Sequence, residues 1–278
     1  MLGQKRGMVM EYYSYSKEEL LANTKIPLTV VKDDAAAFSG LAMDMAAEIE
    51  KNNAAGKCTV FIVPVGPTGQ YPIFVDYVNK NRLSLADVWF INMDELLDEN
   101  LEYIDMSHKI SFRGFMQRTV YDRIDPALLM PESQRVFPDP KDTGGIQRLI
   151  DELGGVDVTY GGVGINGHVA FNEPEPELSC VGFAGLPTRV IPLNRESLAV
   201  NSIAYLNGAM DLMPVRCITI GMKEMLCARK VRFACFRDFH RAVLRRTCCG
   251  EPSAAFPGTL MQRHKDIHIL VTEFVAGN

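Results

Sequence analysis

The chain has 278 residues, of which 47% are hydrophobic and 23% charged, and its formal net charge at pH 7 is −5. This composition fits one large α/β domain or two smaller domains. Basic residues are dispersed along the chain, which argues against nucleic acid as the main partner, because binding to a phosphate backbone needs a concentrated basic face. A small anionic substrate would need only a few local donors.

No run of about 18 apolar residues occurs, so we expect no transmembrane helix and no membrane partner. Residues 1–10 lack the apolar core of a signal peptide. The seven cysteines include no Cys-x-x-Cys pair and no His/Cys spacing typical of metal ligands. We therefore predict a cytoplasmic protein with reduced thiols and no bound metal.

Short apolar runs alternate with amphipathic stretches along the chain. In chain order, the pattern predicts a strand at 28–31, a helix at 33–51 capped by Asp33 or Asp34, a strand at 58–65, a helix from Pro72 to Asn81, and strands at 87–92, 157–160, 217–220, 231–235 and 267–272. Strands alternating with helices predict βαβ units and a mainly parallel sheet. Ligands of such sheets bind at the carboxyl ends of the strands, so the loops after Val65, Asn92 and Tyr160 should open on one cleft.

The first of these loops is Gly-Pro-Thr-Gly-Gln, residues 66–70. Its glycines let the backbone approach a ligand, and the helix that follows offers free N–H donors to an anion. An ordinary tight turn between strand and helix would look the same. The loop alone therefore leaves both interpretations open.

The second loop carries Asp94 and Glu95 directly after a hydrophobic strand. An Asp in this position is partly desolvated and faces the cleft, as a general base requires. The alternative is a helix N-cap followed by an acid in the first helical turn. Two adjacent acids are compatible with both.

The third loop is Gly-Gly-Val-Gly-Ile-Asn-Gly-His-Val-Ala-Phe-Asn-Glu-Pro, residues 161–174. Its glycines allow the backbone to wind under a substrate, and His168 can carry a proton near neutral pH. Asn166 and Glu173 are close enough in sequence to fix the tautomer of this imidazole. The alternative is a hydrogen-bonded core histidine beside a glycine turn.

This third segment closely resembles the signature of glucosamine-6-phosphate deaminases, also called isomerases. Residues 90–95, Phe-Ile-Asn-Met-Asp-Glu, resemble a second signature of that family, and residues 67–72, Pro-Thr-Gly-Gln-Tyr-Pro, are similar to its phosphate loop. The resemblance runs in the same order and spacing from about Leu28 to about Thr272. It implies a Rossmann-like α/β fold with helices on both faces of the sheet, as a single domain over residues 28–278 that follows an N-terminal extension, residues 1–27. It also implies that no cofactor and no metal take part.

The resemblance further implies the catalytic residues. An Asp at the position of Asp94 moves a proton between C2 and C1 of the opened sugar. A His at the position of His168 assists ring opening, supported by Glu173 and Asn166. Many family members have Asp at the Asn166 position, whereas Asn accepts a hydrogen bond without adding negative charge.

The phosphate site departs from the family pattern. A phosphate-binding Arg of the family aligns with Ile203, and a phosphate-binding Lys aligns with His240. Losing both fixed cations should weaken phosphate binding, since charge-assisted hydrogen bonds to phosphate are the strong ones. We expect substrate contacts from the first and third loops and from two further positions: Gly66, Thr68, Gly69, Gln70, Gly162, Gly167, Arg113 and His240.

Arginines elsewhere are candidates to replace these cations. Arg113 lies in a stretch that borders the cleft in the family. Three more recur at helical spacing beside His240, where a solvated helix face is the favoured interpretation: Arg237, Arg241 and Arg245.

These residues predict an enzyme that interconverts an aldose-type amino sugar and a ketose, by default glucosamine 6-phosphate to fructose 6-phosphate plus ammonia. A sugar-lactone hydrolase of the same fold is an alternative, although phosphogluconolactonases lack the Phe-Asn-Glu-Pro continuation at 171–174. A sugar-binding protein without catalysis is another. The expected partner is a small-molecule sugar, phosphorylated by family default, and the family's monomers, dimers and hexamers leave a homo-oligomer open.

Overall fold

The structure is a computed structural model that describes residues 11–277. Residues 1–10 and Asn278 lie outside the described residues. The prediction that no signal-peptide core is present concerns residues 1–10, which are also the first part of the predicted N-terminal extension. Within the described range, no helix is both long and apolar enough to cross a membrane.

Ten strands and ten α-helices alternate along the described chain. The strands are β1 (Leu28–Val31), β2 (Thr59–Val63), β3 (Val88–Asn92), β4 (Asp94–Leu97), β5 (Arg135–Val136), β6 (Val158–Gly161), β7 (Arg189–Pro192), β8 (Arg216–Thr219), β9 (Lys230–Cys235) and β10 (Ile267–Thr272). The helices are α1 (Lys17–Asn23), α2 (Asp34–Ala54), α3 (Gln70–Asn81), α4 (Phe112–Thr119), α5 (Gly145–Glu152), α6 (Cys180–Ala184), α7 (Arg195–Leu206), α8 (Met222–Leu226), α9 (His240–Cys249) and α10 (Glu273–Ala276). Short 3-10 helices occur at Glu11–Ser14, Tyr121–Arg123, Glu132–Gln134, Met210–Leu212 and Pro257–Arg263.

Seven of the strands form one sheet in the order β1-β10-β9-β6-β2-β3-β5. Every pair in this sheet is parallel, which confirms the predicted Rossmann-like α/β class. Alternate side chains of the interior strand β2 enter two different cores. Phe61 and Val63 pack with side chains of α2 and α3 on one face, and Val60 and Ile62 with side chains of α5 and α9 on the other.

A second, antiparallel sheet contains β4, β8 and β7. The predicted strand at 217–220 therefore exists, but it pairs in this small sheet. The alternative of a helix beginning at Asp94 and Glu95 is wrong, because both residues pair with β8, Asp94 opposite Thr219 and Glu95 opposite Ile218. Local preference allowed either structure, and the partner strand decides it.

The arginines beside His240 do not form one solvated helix face. Arg237 precedes α9, which begins at His240, and Arg245 is only 1% exposed. The Arg245 guanidinium donates hydrogen bonds to backbone carbonyls at both ends of the described chain: Tyr15, Val275, Ala276 and Gly277. A sequence pattern cannot reveal this burial, because the carbonyls come from segments distant in sequence.

Candidate active site

The cleft lies at the carboxyl edge of the parallel sheet, where β2, β6 and β9 end. The loops after these strands line it, together with residues that follow β3 and residues of α7. Asp94 and His168 both line this cavity. Two residues 74 positions apart thus face the same cleft, on the side where ligands bind in such sheets.

Asp94 is the one carboxylate among the described residues that line this cavity, and it is 7% exposed. Burial raises its pKa well above the usual range, and the neighbouring Glu95 adds to the rise. No described residue donates a hydrogen bond to its side chain. A desolvated carboxylate without donors is a stronger base than one in water, which suits proton abstraction.

Glu95 has a structural role beside Asp94. Its carboxylate accepts hydrogen bonds from the backbone N–H groups of Phe112 and Arg113 and from the Ser111 hydroxyl, at 2.8–3.1 Å. It therefore binds the amino end of α4, where a negative charge is favourable. Burial raises the pKa of Glu95, although these hydrogen bonds oppose the rise.

His168, Asn166 and Glu173 form a connected chain of hydrogen bonds. The Asn166 side-chain N–H donates to Glu173 Oε2 at 2.7 Å, so its amide oxygen faces His168 Nδ1 at 2.8 Å. This oxygen can only accept, which puts the proton of the neutral imidazole on Nδ1 and leaves Nε2 as the basic nitrogen. Ser197 Oγ lies 3.1 Å from the same Nδ1.

Glu173 is held in its charged form at the far end of this chain. Burial opposes its ionisation, but His168, Ser197 and Asn166 outweigh burial and lower the pKa of Glu173. The turn that carries it is fixed by Asn172, whose side-chain N–H groups donate to the carbonyls of Val169 and Ile220. The sequence Phe-Asn-Glu-Pro thus supplies one anchoring residue and one buried anion.

Gly164 makes room for the imidazole. A Cβ at this position would lie 2.0 Å from His168 Nε2. The absence of a side chain there is therefore a steric requirement of the site. Gly167 has a different constraint, since its φ of +88° favours glycine and a Cβ would overlap the Phe256 ring.

The residues predicted to contact substrate divide into two groups. Gly66, Gly162 and His240 line the cavity, as do Asp94 and His168. The others do not line it: Thr68, Gly69, Gln70, Gly167 and Arg113, with Asn166 and Glu173 behind His168.

The predicted phosphate loop is closed by neighbouring side chains. The Phe38 ring lies over Gly69, at 2.2 Å from where a Cβ would be, and it packs edge-on against Phe236. Gln70 is buried and donates to the Pro67 carbonyl. Arg113 stacks on the Tyr103 ring with its guanidinium carbon 4.4 Å from the ring centre.

His240 lines the cavity, but its ring nitrogens are already engaged. Nδ1 accepts hydrogen bonds from the backbone N–H groups of Phe236 and Arg237, at 2.8 and 2.9 Å. Nε2 therefore carries the proton and donates to the Val163 carbonyl at 3.0 Å. Burial lowers the pKa of His240 to about 3, so the ring is neutral. It holds two loops together and supplies no positive charge to a ligand.

Several residues that line the cleft were not predicted from the sequence. Ser197, Asn201 and Tyr205 come from α7, and four aromatic rings complete the wall: Phe112, Phe171, Phe236 and Phe239. Arg237, one of the candidate replacement cations named from the sequence, is also in the wall, two residues after β9. Among residues 11–277, no group of three or more His, Cys, Asp or Glu side chains is arranged to hold a metal.

Comparisons with known proteins show which sequences and folds this chain resembles. No protein-family model matches the chain. The glucosamine-6-phosphate deaminase of Staphylococcus saprophyticus is 24% identical over 209 residues, 74% of this chain and 81% of that protein. The corresponding enzyme of Bacillus velezensis is 28% identical over 221 residues, 76% of this chain and 83% of that protein.

A solved monomeric glucosamine-6-phosphate deaminase of the NagB superfamily superposes with a TM-score of 0.78 at 20% identity, covering 90% of this chain and 99% of that one. For the 6-phosphogluconolactonase of Trypanosoma brucei the TM-score is 0.64 at 14% identity, covering 91% and 98%. The chain thus has the fold that these deaminases and lactonases share. In sequence it is similar to curated glucosamine-6-phosphate deaminases, at 24–29% identity over 63–76% of its length.

Proposed function

We propose that this protein interconverts an aldose-type amino sugar phosphate and a ketose, with release of ammonia. The default reaction is glucosamine 6-phosphate to fructose 6-phosphate. The observation that carries the proposal is the presence of Asp94 and His168 in one cleft, a buried base and an imidazole with a defined free nitrogen. The similar curated proteins are named glucosamine-6-phosphate deaminases, and this supports a small sugar as the ligand.

Asp94 is the proposed base for transfer of a proton between C2 and C1 of the opened sugar. Burial brings its pKa upward toward the working range, where an acid–base catalyst is both ionised and sufficiently basic. The same carboxyl group, once protonated, can return the proton to the adjacent carbon.

His168 is the proposed catalyst of ring opening. Its Nε2 is free to take the proton of the ring hydroxyl, while Nδ1–H is directed at Asn166. The charge that then forms on the imidazole is stabilised through Asn166 by the buried Glu173 carboxylate, whose Oε2 lies 3.6 Å from Nδ1. Asn166 and Glu173 are positioning residues in this account, since neither lines the cavity.

A sugar-lactone hydrolase is the second candidate, because solved 6-phosphogluconolactonases share the fold. We favour the isomerase and deaminase reaction for two reasons. Lactone hydrolysis gives no role to a proton shuttle between two carbons, which Asp94 suits. The deaminase structure also superposes more closely than the lactonases.

A turnover screen tests the proposal. Amino and neutral sugars, each with and without a 6-phosphate, and sugar lactones are incubated with the protein while ammonia, ketose and acid are measured together. We expect ammonia and ketose in equal amounts from an amino sugar phosphate. Lactone hydrolysis without either product would replace this proposal by the second candidate, and binding without any turnover would indicate a sugar-binding protein. We propose the cytoplasm as the location, since all seven cysteines are free thiols.

A further inference from the structure

Arg237 lies in the loop after β9, at the same sheet edge as Asp94 and His168, and its half-buried side chain lines the same cavity. Among the described residues that line this cavity it is the sole Lys or Arg. No carboxylate of residues 11–277 lies within ion-pair distance of it. Its one side-chain contact of note is with the Phe236 ring, 5.8 Å from the guanidinium carbon to the ring centre.

A half-buried cation without an anionic partner is costly, because its desolvation is not offset. A ligand anion would supply the missing partner. The guanidinium fork matches the planar oxygens of a phosphate or a carboxylate and binds them through two parallel hydrogen bonds.

The backbone that presents Arg237 is rigidly held. His240 Nδ1 accepts the N–H groups of both Phe236 and Arg237, and Nε2 donates to Val163 in the glycine-rich loop. These hydrogen bonds fix the Arg237 backbone relative to the glycine-rich loop that carries His168. A binding group on a fixed backbone loses less conformational entropy when it captures a ligand.

Tyr205 relates this cation to the proposed base. Burial raises the pKa of the Tyr205 phenol, Arg237 opposes the rise and Asp94 adds to it, so both charges act on one hydroxyl. Arg237 does not pair with Asp94, whose carboxylate has no cation within ion-pair distance in the described chain. Arg237 and Asp94 therefore line one cleft without forming an ion pair with each other.

We propose that Arg237 is the anion-binding residue of this cleft and that it selects sugars with a terminal phosphate or carboxylate. It takes over the task of the two cations that family members carry at Ile203 and His240. Ile203 is 70% exposed and does not line the cavity. His240 is neutral and acts as the positioning residue for the Arg237 loop. The inference rests on the proposed function for the ligand being a sugar.

NMR titration with ligands that cannot react tests this assignment. The ligands are a neutral hexitol, the same hexitol 6-phosphate and a hexonate, none of which has an aldehyde or ketone group. We expect the wild-type protein to prefer at least one of the anionic ligands over the hexitol. Arg237→Gln should weaken binding of that anion about 10- to 100-fold and leave hexitol binding unchanged. The anion with the greater dependence on Arg237 identifies the group that it binds.

Arg241→Gln is the matched control, because Arg241 stacks on Phe274 outside the cavity, and it should keep the wild-type preference. Unchanged hexitol binding by Arg237→Gln shows that the cleft is intact. A wild type without preference for either anion, or an Arg237→Gln variant that retains the preference, would overturn the inference. These ligands cannot react, so the binding test does not depend on turnover. If Arg237→Gln loses the anion preference but the wild-type protein turns over no sugar, the proposed function alone would be refuted. Turnover with an unaltered preference in Arg237→Gln would refute this inference alone.

Discussion

The amide oxygen of Asn166 lies 2.8 Å from Nδ1 of His168, and the amide nitrogen of the same residue donates to a buried carboxylate. The neutral Asn166 side chain therefore connects the His168 imidazole to the Glu173 carboxylate through hydrogen bonds and adds no charge of its own. It fixes both the tautomer and the orientation of the ring.

Removing this connection should impair catalysis more than changing its charge. Asn166→Leu keeps the approximate volume but neither accepts from His168 nor donates to Glu173, so we expect turnover to fall by about 10²- to 10⁴-fold, the range of a positioned acid–base catalyst. Asn166→Asp retains an acceptor for Nδ1 and should stay within about tenfold of the wild type. Steady-state kinetics on the substrate found in the screen measures both. Equal losses in the two variants would contradict the proposed role.

Gly164→Ala tests the steric requirement beside His168. The added methyl group would overlap Nε2, so the ring must move, and a displacement of about 1 Å can cost about 100-fold in rate. Gly185→Ala is the control, since the nearest atom to its Cβ would be at 3.4 Å, an ordinary contact. Both proteins should keep a wild-type circular dichroism spectrum. Normal turnover by Gly164→Ala would show that His168 need not occupy this position.

His240 makes the stability of the protein depend on pH. Its pKa is about 3 in the folded protein and near 6.5 when exposed, so between these values the unfolded chain binds a proton that the folded protein does not. The free energy of unfolding should therefore fall as the pH drops below 6.5, by at most about 1.4 kcal/mol per pH unit from this group. Denaturant unfolding at pH 7 and pH 5 should show a difference that is roughly 2 kcal/mol smaller in His240→Gln. An identical difference in both proteins would refute this coupling.

Arg245 should contribute to stability rather than to ligand binding. Arg245→Gln leaves several buried carbonyls at the two ends of the described chain without donors, so we expect a loss of about 2–4 kcal/mol in the free energy of unfolding. Arg241→Gln, one helical turn away and half-exposed, should lose less than about 1 kcal/mol. Urea denaturation of both variants measures the difference. Similar stabilities for the two would show that the buried hydrogen bonds contribute little.

Much of the architecture follows from local sequence signals. Alternation of apolar strands with helices predicts the parallel sheet, and the carboxyl-edge rule predicts that the loops after β2, β3 and β6 line one cleft. Asp33 caps α2 as expected, accepting from the N–H of Ala36 at 3.0 Å. These features depend on neighbouring residues and on a general rule of sheet topology.

Other features depend on which distant segments meet. Asp94 and Glu95 suit a helix start as well as a strand, and only pairing with β8 selects the strand. His240 supplies no cation, because its Nδ1 accepts hydrogen bonds from two backbone N–H groups and burial lowers its pKa. Periodicity along the chain does not predict such contacts. The placement of Arg237 in the cavity wall therefore follows only from the three-dimensional structure.

The pH dependence of the reaction should reflect the environment of Asp94. Burial raises its pKa well above that of an exposed Asp. As the pH is lowered, the Asp94 carboxylate should therefore be protonated at a higher pH than an exposed Asp would be, and activity should fall with it. Ionising this group costs stability as pH rises through its folded pKa. Asp94→Asn should therefore be at least as stable as the wild type near pH 7, which thermal unfolding can check. A less stable variant would contradict the account of an uncompensated buried charge.

Deuterium incorporation at C2 of the sugar tests the central claim most directly. The wild-type protein in deuterated water should catalyse exchange at C2 with the substrate found in the screen, and Asp94→Asn should slow it by at least about 100-fold. Asp76→Asn, an exposed position on α3, should exchange at the wild-type rate. Exchange by Asp94→Asn at the wild-type rate would show that another group moves the proton.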